Sequence, residues 1–208
     1  MKLYTCDPAP NPLRLKRFMD YKGITLDTTQ IDLASEEQLG DAYRAIVPEA
    51  TVPALILDDG TVLSAVIAIV HYLELLFPEK PLLGVTAEQK ATILNWNHRI
   101  FGEVFGPIAD VFRNGHPKYA GRALPGPADV AQIPELVERG SQRLQDAFVM
   151  LNSVLSQQPF LAGETLSFAD IDLLVAIDFA KWGARTSPNA SLEHVQRWRE
   201  NTEAALLS

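Results

Sequence analysis

The sequence predicts a small α/β domain at the N-terminus followed by an all-α domain. Over residues 1–77, strand-like and helix-like stretches follow one another in the order βαβ, α, ββα. The proline-rich segment FPEKPLLG then changes the composition, and everything after it has helical character. We therefore predict domains over residues 1–77 and 86–208, joined by a linker over residues 78–85.

The βαβ unit begins with a predicted strand at residues 2–5, KLYT, followed by a turn that contains three prolines. Asn11 and Pro12 predict the start of the first helix, because asparagine caps free N–H groups and proline fits the first helical position. Gly23 is expected to end this helix. The second strand is predicted over residues 24–32, ITLDTTQID.

The rest of the first domain is predicted to be a short helix, a β-hairpin and a third helix. The segment Ser35–Gln38 has the spacing of a capping box, and it predicts a helix that ends near Val47. The hairpin consists of PALIL and TVLS around an Asp-Asp-Gly turn at residues 58–60. Ser64 is the predicted cap of the third helix, and Pro78 ends that helix.

The second domain is predicted to contain only helices and loops. Thr86–Gln89 is a capping box that opens a long helix through Phe112, and Pro107 should kink this helix. Residues 115–134 are rich in proline and glycine and predict a loop. Three further helices are predicted, at about residues 135–157, at about residues 168–183 and after a cap at Ser191.

The composition is that of a soluble globular protein of 208 residues, with 47% hydrophobic and 21% charged residues. The net charge of −8 disfavours nucleic acid as a partner. No apolar run reaches the ~18 residues of a transmembrane helix, and the first residues lack the apolar stretch of a secretory signal. The single cysteine, Cys6, excludes an internal disulfide. We therefore expect a cytoplasmic protein without a membrane partner.

Four segments of the chain carry family-specific motifs. TVPALILDDGTVL at residues 51–63 and FLAGETLSFADIDLL at residues 160–174 resemble the strand-turn-strand and helical-domain signatures of the cytosolic glutathione transferases. APNPLRLKRF and WNHRIFGEVFGPIADVFRNGHP are similar to a bacterial and fungal branch that lacks the usual catalytic tyrosine, serine or cysteine. The resemblance implies a thioredoxin-like N-terminal domain, glutathione as co-substrate and a homodimer. It also implies that Ser167 and Asp170 form the capping box of a buried helix.

The first candidate site is a backbone edge at Val52 and Pro53. In the resembled family the peptide bond before this proline is cis, which implies that the N–H and C=O groups of Val52 face outward. The backbone of a cysteinyl residue can then pair with Val52 as a short antiparallel strand. The alternative is that Pro53 only shapes the hairpin.

The second candidate site is the start of the third helix, at Ser64, Ala65 and Val66. Free N–H groups and the helix dipole at this end can bind the γ-glutamyl carboxylate. The family usually has Glu-Ser where this chain has Ala65-Val66, so the serine hydroxyl is missing. A hydrogen bond to a charged group is worth about 1.5–3 kcal/mol, so we expect about ten- to hundredfold weaker binding. Ser64 either replaces the missing donor or is only the helix cap.

Acidic residues near the same site also predict weak binding of glutathione. Glu49 lies just before Val52, and the segment ASEEQLG has two glutamates where relatives often have a basic residue that meets the glycine carboxylate. These charges repel a tripeptide with two carboxylates, unless they face solvent or a cation offsets them.

Asn11 is the candidate catalytic residue. A glutathione transferase must lower the pKa of a thiol from about 8.5 by one or two units. Asn11 stands where many relatives carry the catalytic serine or cysteine, and its amide can donate to the sulfur directly or through a water. The N–H groups of Leu13 and Arg14 are expected to be free. The alternatives are that Asn11 is only an N-cap and that Arg14, with Arg17 and His71, faces a dimer partner.

The resemblance implies that a hydrophobic electrophile rests between the two domains. Aromatic residues on two helices of the second domain can line that pocket with a cation beside them, namely Phe101, Phe105, Phe112, Arg113 and Trp182. The alternative is that these aromatic residues belong to the core. The four histidines show no metal-ligand spacing, and we predict no metal.

The predicted function is a glutathione transferase that conjugates glutathione to a small hydrophobic electrophile through a degenerate glutathione site. A non-catalytic, dimeric binding or scaffold protein of the same fold is the alternative. A thiol-disulfide oxidoreductase acting through Cys6 is a third hypothesis. Cys6 precedes the first helix by about five residues instead of starting it, so we expect an inert apolar side chain there.

Overall fold

The computed structural model describes residues 1–7 and 9–207, which form two compact units. The first unit comprises Met1–Lys80 together with Leu124–Asp129. The second comprises Pro81–Ala123 and the chain from Val130 onward.

The first unit contains the strands β1 (Lys2–Thr5), β2 (Asp27–Gln30), β3 (Ala54–Ile56) and β4 (Val62–Leu63). They form a mixed sheet in the order β2-β1-β3-β4. β1 and β2 are parallel, with Leu3 opposite Thr28, and the other neighbours are antiparallel, with Leu3 also opposite Leu55. The parallel pair requires a crossover, and the first helix supplies it. This sheet, with helices in the predicted order, confirms the thioredoxin-like fold class.

Two long helices and one short helix accompany the sheet: α1 (Pro10–Lys22), α2 (Asp41–Arg44) and α3 (Val66–Leu76). α1 packs against α3, and both bury an apolar face that includes Phe18 and Ile69, each 0% exposed. Gly23 ends α1 in the left-handed conformation, as predicted, because this backbone shape strains residues that carry a Cβ.

The predicted helix after Ser35 does not form as expected. Asp32 accepts the N–H groups of Ala34 and Ser35 at 2.8 and 3.3 Å, and Glu37 accepts the Asp32 N–H at 2.7 Å. These side-chain bonds satisfy the backbone in a turn and compete with a helix. The chain then makes a single 3₁₀ turn, Glu37–Leu39, and α2 is only one turn long.

A buried lysine, which the sequence pattern did not indicate, ties the ends of α1 and α3 together. The ammonium of Lys22 donates to Glu74 at 2.7 Å and to the carbonyl oxygens of Glu79 and Lys80 at 2.7 and 3.1 Å. The side chain of Lys22 is 1% exposed and that of Glu74 is 11% exposed. The three acceptors satisfy the ammonium, which is the condition for burying such a charge.

The second unit is helical, as predicted, and contains α4 (Ala87–Ile100), α5 (Gly106–Gly115), α6 (Glu135–Leu155), α7 (Phe168–Gly183) and α8 (Glu193–Ala205). α7 lies at its centre. α7 packs against α4, α5 and α8, and it is buried along most of its length. No helix in the described part of the chain is long and apolar enough to cross a membrane.

A π-helical turn, Phe101–Phe105, separates α4 from α5 directly before Pro107. Proline donates no N–H, and its ring crowds the carbonyl four residues earlier, which is Glu103 here. The wider π turn, in which the Gly106 N–H bonds to the Phe101 carbonyl, accommodates that defect. The predicted interruption of the long helix is therefore present, as a π turn before the proline.

Asp170 is buried and hydrogen-bonded at the start of α7, which confirms the predicted capping box. One carboxylate oxygen accepts the N–H and the hydroxyl of Ser167, both at 2.9 Å. The other accepts the Leu161 N–H and the Trp198 indole N–H, both at 2.8 Å. Burial raises the pKa of the Asp170 carboxyl, and the four donors act against that effect.

Candidate functional site

The backbone of Val52 forms an open edge next to β3. The Val52-Pro53 peptide bond is cis, which confirms the prediction. Among residues 1–7 and 9–207, no group donates to the Val52 carbonyl or accepts from its N–H. The Val52 side chain is buried in a cluster with Ile31 and Tyr43, and this packing holds the backbone edge in place. A peptide backbone can therefore find one donor and one acceptor at Val52.

The turn before this edge contains a residue with a strained backbone, which the sequence did not predict. Ala50 has φ 53° and is 4% exposed, and its N–H bonds to the Val47 carbonyl at 2.9 Å. The left-handed conformation costs roughly 1–2 kcal/mol for a residue with a Cβ. The Tyr43 hydroxyl donates to the carbonyl of Thr51 at 2.7 Å, so the surrounding structure holds this turn in place.

α3 begins one residue later than predicted, and Ser64 is not its cap. Ala65 occupies the cap position, and its carbonyl accepts the N–H groups of Ala68 and Ile69 at 3.0 and 3.1 Å. No side chain caps this helix. In the described chain, the N–H groups of Val66 and Ile67 have no acceptor. The helix dipole and these N–H groups are the means by which this end can bind a carboxylate.

The side chains at the start of α3 offer little to an anion. Ala65 is exposed and Val66 is 6% exposed, whereas Ser64 is half-buried. A hydroxyl at position 66 would therefore enter a largely buried environment. This burial could not be predicted from the sequence, because the first turn of a helix presents either face to solvent.

α1 also begins elsewhere than predicted: its cap is Ala9, and Asn11 is the second helical residue. The Leu13 N–H bonds to the Ala9 carbonyl at 2.9 Å and is not free, which corrects the expectation. Pro10 and Pro12 have no N–H. Asn11 is therefore the one residue in the first three of α1 that can donate from its backbone.

The side chain of Asn11 is oriented by Arg14. The guanidinium Nη1 of Arg14 donates to Asn11 Oδ1 at 2.9 Å, and Arg14 is 4% exposed. Because arginine only donates, the amide oxygen of Asn11 must face it. Within the described residues the Asn11 Nδ2 group has no acceptor, and Asn11 is exposed. Asn11 thus offers an accessible amide donor. Arg14 is buried within the chain, which counts against the alternative that it faces a dimer partner.

Cys6 lies after β1 and packs against the apolar cluster that contains Val52. Its carbonyl accepts the Ala9 N–H at 2.9 Å, and its sulfur lies 4.0 Å from the Asp7 carbonyl oxygen. The cysteine is half-buried and precedes α1 by a turn. This setting lacks the helix-start position that activates cysteines of thioredoxin-like enzymes.

Acidic, amide and phenol side chains occur in the chain segment that precedes the Val52 edge. Glu49 is exposed, and Gly126 lies near its backbone, where a Cβ atom would be 3.5 Å from the Glu49 carbonyl oxygen. Burial raises the pKa of the Tyr43 phenol, and the charge of Glu37 adds to that effect. Gln38 is 6% exposed, and its Oε1 has no donor in the described chain. Tyr43, which packs with Val52 and donates to the Thr51 carbonyl, is a residue of this edge that the sequence pattern did not reveal.

The predicted electrophile residues fall into two groups. Phe112 and Trp182 contact each other edge to face, with ring centroids 5.4 Å apart, and Arg113 follows Phe112 on α5. Phe101 and Phe105 lie in the π turn, where Phe101 is 57% exposed and Phe105 is 6% exposed. The structure thus brings Phe112 and Trp182 together and places Phe105 in the core of the second unit.

Among the described residues, no three histidine, cysteine, aspartate or glutamate side chains come together as metal ligands.

Two family models match the chain in the order of its two units. The model described as "Glutathione S-transferase, N-terminal domain" matches residues 9–76, and "Glutathione S-transferase, C-terminal domain" matches residues 115–205. Glutathione S-transferase 2 of Saccharomyces cerevisiae is 27% identical over 182 residues, which cover 86% of this chain and 76% of that protein. Glutathione S-transferase GstA of Escherichia coli O157:H7 is 27% identical over 170 residues, covering 79% and 75%.

A solved structure extends the likeness to the whole chain. A glutathione S-transferase domain-containing protein from Marinobacter aquaeolei VT8 is 30% identical and superposes with a TM-score of 0.86, covering 98% of both chains. The fold, both domain models and this relative agree, and the chain belongs to the glutathione S-transferase family.

Proposed function

We propose that the protein conjugates glutathione to a small hydrophobic electrophile and binds glutathione weakly. The thiolate sulfur forms a bond to the electrophilic carbon, the leaving group departs with its bonding electrons, and the thiol proton passes to solvent. The observation that carries this proposal is the open Val52 backbone in the described chain. That edge fits a cysteinyl backbone, and the bare start of α3 fits a carboxylate.

We assign stabilisation of the thiolate to Asn11, in a branch of the family that lacks the usual catalytic tyrosine, serine or cysteine. The support is that Arg14 holds the Asn11 amide oxygen, which turns the amide N–H groups away from Arg14. A hydrogen bond to a charged acceptor is worth about 1.5–3 kcal/mol, which corresponds to about one to two units of thiol pKa. That is enough to populate the thiolate of bound glutathione near neutral pH.

A series of substitutions at Asn11 tests this assignment. The absorbance of the thiolate near 240 nm is followed against pH in the glutathione complex, which gives the pKa of the bound thiol. Asn11→Ala should raise that pKa by about one to two units. Asn11→Ser keeps a donor and should restore part of the effect, whereas Asn11→Asp adds a negative charge and should raise the pKa further. An unchanged thiol pKa in Asn11→Ala would remove Asn11 from the mechanism.

A non-catalytic binding protein of the same fold is the second candidate, and the start of α3 favours it. Ala65 and Val66 provide no side-chain donor, and Glu49 is exposed beside the peptide edge. Retention on immobilised glutathione without turnover of any electrophile would favour this function over the transferase.

We further propose a homodimer, as the family suggests. The end of α3 supports it, because Leu75 is 81% exposed and Leu76 is 48% exposed. Light scattering during size-exclusion chromatography checks this, and a particle near 23.0 kDa would exclude the dimer. The cytoplasmic location stays a prediction.

A further inference from the structure

The C-terminal end of α5 and the turn after it form a basic aromatic surface within an acidic protein. From residue 111 to residue 123 the chain has no aspartate or glutamate, although the whole protein has a net charge of −8. The same stretch carries three permanent cations and one histidine, namely Arg113, Lys118, Arg122 and His116. All of these residues belong to the second unit.

Arg113 is the centre of this surface, and no carboxylate in the described residues pairs with it. Its guanidinium lies over the ring of Tyr119, 4.9 Å from the centroid, and Nη1 donates to the Arg122 carbonyl at 2.9 Å. Burial lowers the pKa of the Arg113 guanidinium, Tyr119 raises it, and the charge of Arg122 lowers it again. Arginine stays protonated even so. Because buried charges are ordinarily paired, binding of an anion to this half-buried cation is favourable.

The acidic residue nearest to Arg113 along the chain does not form an ion pair with it. Asp110 lies one turn before Arg113 on α5, but its carboxylate faces α6, 3.7 Å from Arg143 and 4.0 Å from Arg139. Asp110 therefore does not neutralise Arg113, and the Arg113 guanidinium is available to an anionic ligand.

Hydrogen bonds fix the backbone around this surface. The side-chain amide of Gln132 donates to the carbonyls of Arg113 and His116 at 2.6 and 2.9 Å. The Ile133 N–H donates to Asn114 Oδ1 at 2.9 Å. His116 Nδ1 accepts the Lys118 N–H at 3.1 Å, so the neutral ring carries its proton on Nε2. The end of α5 is therefore held in one arrangement before a ligand arrives, which reduces the entropy lost on binding.

An apolar aromatic group lies beside the cation. Phe112 contacts four rings, those of His116, Tyr119, Phe179 and Trp182, at centroid distances of 4.9–6.2 Å. Trp182 is 55% exposed, so its indole can stack on a further ring from solvent. A cation, an aromatic surface and an N–H donor together match a flat ligand that has an anionic substituent.

We propose that this surface binds the electrophile and selects an aromatic compound with a carboxylate or sulfonate group. Arg113 binds the anionic group, and Phe112 and Trp182 contact the ring. This proposal rests on the proposed transferase function and names the class of its second substrate.

Binding is tested first, without glutathione. 3,5-Dinitrobenzoate and its methyl ester have the same ring and differ in one charge, and nitroaromatics quench tryptophan fluorescence. Trp96 and Trp198 are 7% and 0% exposed, so the quenching reports mainly on Trp182. The anion should bind at least about tenfold more tightly than the ester, the usual worth of one charge-assisted hydrogen bond.

Two substitutions separate the charge of Arg113 from the rest of the protein. Arg113→Met keeps the length of the side chain and should weaken dinitrobenzoate about tenfold while changing the ester less than about threefold. Arg139→Gln removes the same charge from an exposed site on α6 and should change neither ligand. Retained ester binding shows that Arg113→Met is folded. Equal affinity of anion and ester for the parent protein, or equal losses in both variants, would overturn the proposal.

Turnover measurements then distinguish the anion-selective surface from the proposed transferase function. With 4-chloro-3,5-dinitrobenzoate the C–S bond forms as chloride leaves, and the methyl ester undergoes the same displacement. Each rate is divided by the uncatalysed rate with glutathione, and Arg113→Met should abolish the preference for the anion. Anion-selective binding without conjugation would support the binding surface and refute the transferase function. Conjugation without anion preference would support the transferase function and refute this inference.

Discussion

Replacing Asp170 with alanine should destabilise the second unit by about 3–5 kcal/mol. The parent carboxylate accepts four hydrogen bonds at 2.8–2.9 Å, and Asp170 is 0% exposed. Alanine leaves the N–H groups of Leu161 and Ser167 and the indole N–H of Trp198 buried without their acceptor. Each lost bond costs about 1–3 kcal/mol, and relief of the buried charge offsets part of the sum. The corresponding fall in Tm is about 6–20 °C for a chain of this size.

Urea and thermal unfolding of a double-mutant cycle measure this effect. Trp198→Phe keeps an aromatic ring but removes one donor to Asp170, and it should cost at least about 1.5 kcal/mol. The double variant should cost less than the sum of the single variants, because both remove the same bond. Asp178→Ala on the same helix is the matched control: its ion pair with Arg199 is about one-third exposed, so the loss should be below about 1 kcal/mol. If Asp170→Ala cost no more than Asp178→Ala, the account of the buried capping box would be wrong.

Three further changes test the first unit. Ala50→Gly should raise the free energy of unfolding by about 0.5–1 kcal/mol in urea unfolding, because relief of the left-handed strain exceeds the added chain entropy; a loss of stability would show that no strain exists. Lys22→Met should lower it by about 3–5 kcal/mol because it breaks the buried ion pair between Lys22 and Glu74, and a loss below about 1 kcal/mol would contradict that role. Val66→Ser should lower the Tm because a hydroxyl enters a buried position, whereas Ala65→Ser, at an exposed position, should leave it within about 2 °C of the parent. Equal effects of these two serine substitutions would show that Val66 is not buried in solution.

The sequence was sufficient for the fold because its strongest signals are local and mutually consistent. Thr86 and Gln89 form the predicted capping box of α4, and Asp170 forms that of α7. In each case one side chain satisfies a backbone group three residues away, which the sequence spacing alone reveals. The cis bond before Pro53 also followed from a family motif carried by adjacent residues.

The helix starts at the candidate site were harder to predict, because side chains compete for the same backbone groups. Ser64 and Asn11 are residue types that commonly cap helices, yet Ala65 and Ala9 occupy the cap positions. In addition, Asp32 captures the N–H of Ser35 and prevents the predicted capping box. Such competition depends on the path of the chain into the helix, which residue type alone does not specify.

Contacts that depend on the tertiary structure of the site could not be predicted from the sequence. The spacing of Asn11 and Arg14 allows contact on one helix, but nothing local indicates that Arg14 is buried and orients the amide. The hydrogen bond from Tyr43 to the Thr51 carbonyl and the bond from Gln132 to the Arg113 carbonyl depend on tertiary contacts in the same way.

Calorimetric titration with glutathione tests the central proposal most directly, namely that the site binds glutathione weakly because the start of α3 offers no side-chain donors. The parent protein and the Ala65→Glu/Val66→Ser variant are compared, and thermal unfolding first establishes that the variant is folded. The account predicts weak binding by the parent and binding at least about tenfold tighter by the variant, since one charge-assisted hydrogen bond is restored. Tight binding by the parent, or no gain in a folded variant, would contradict it.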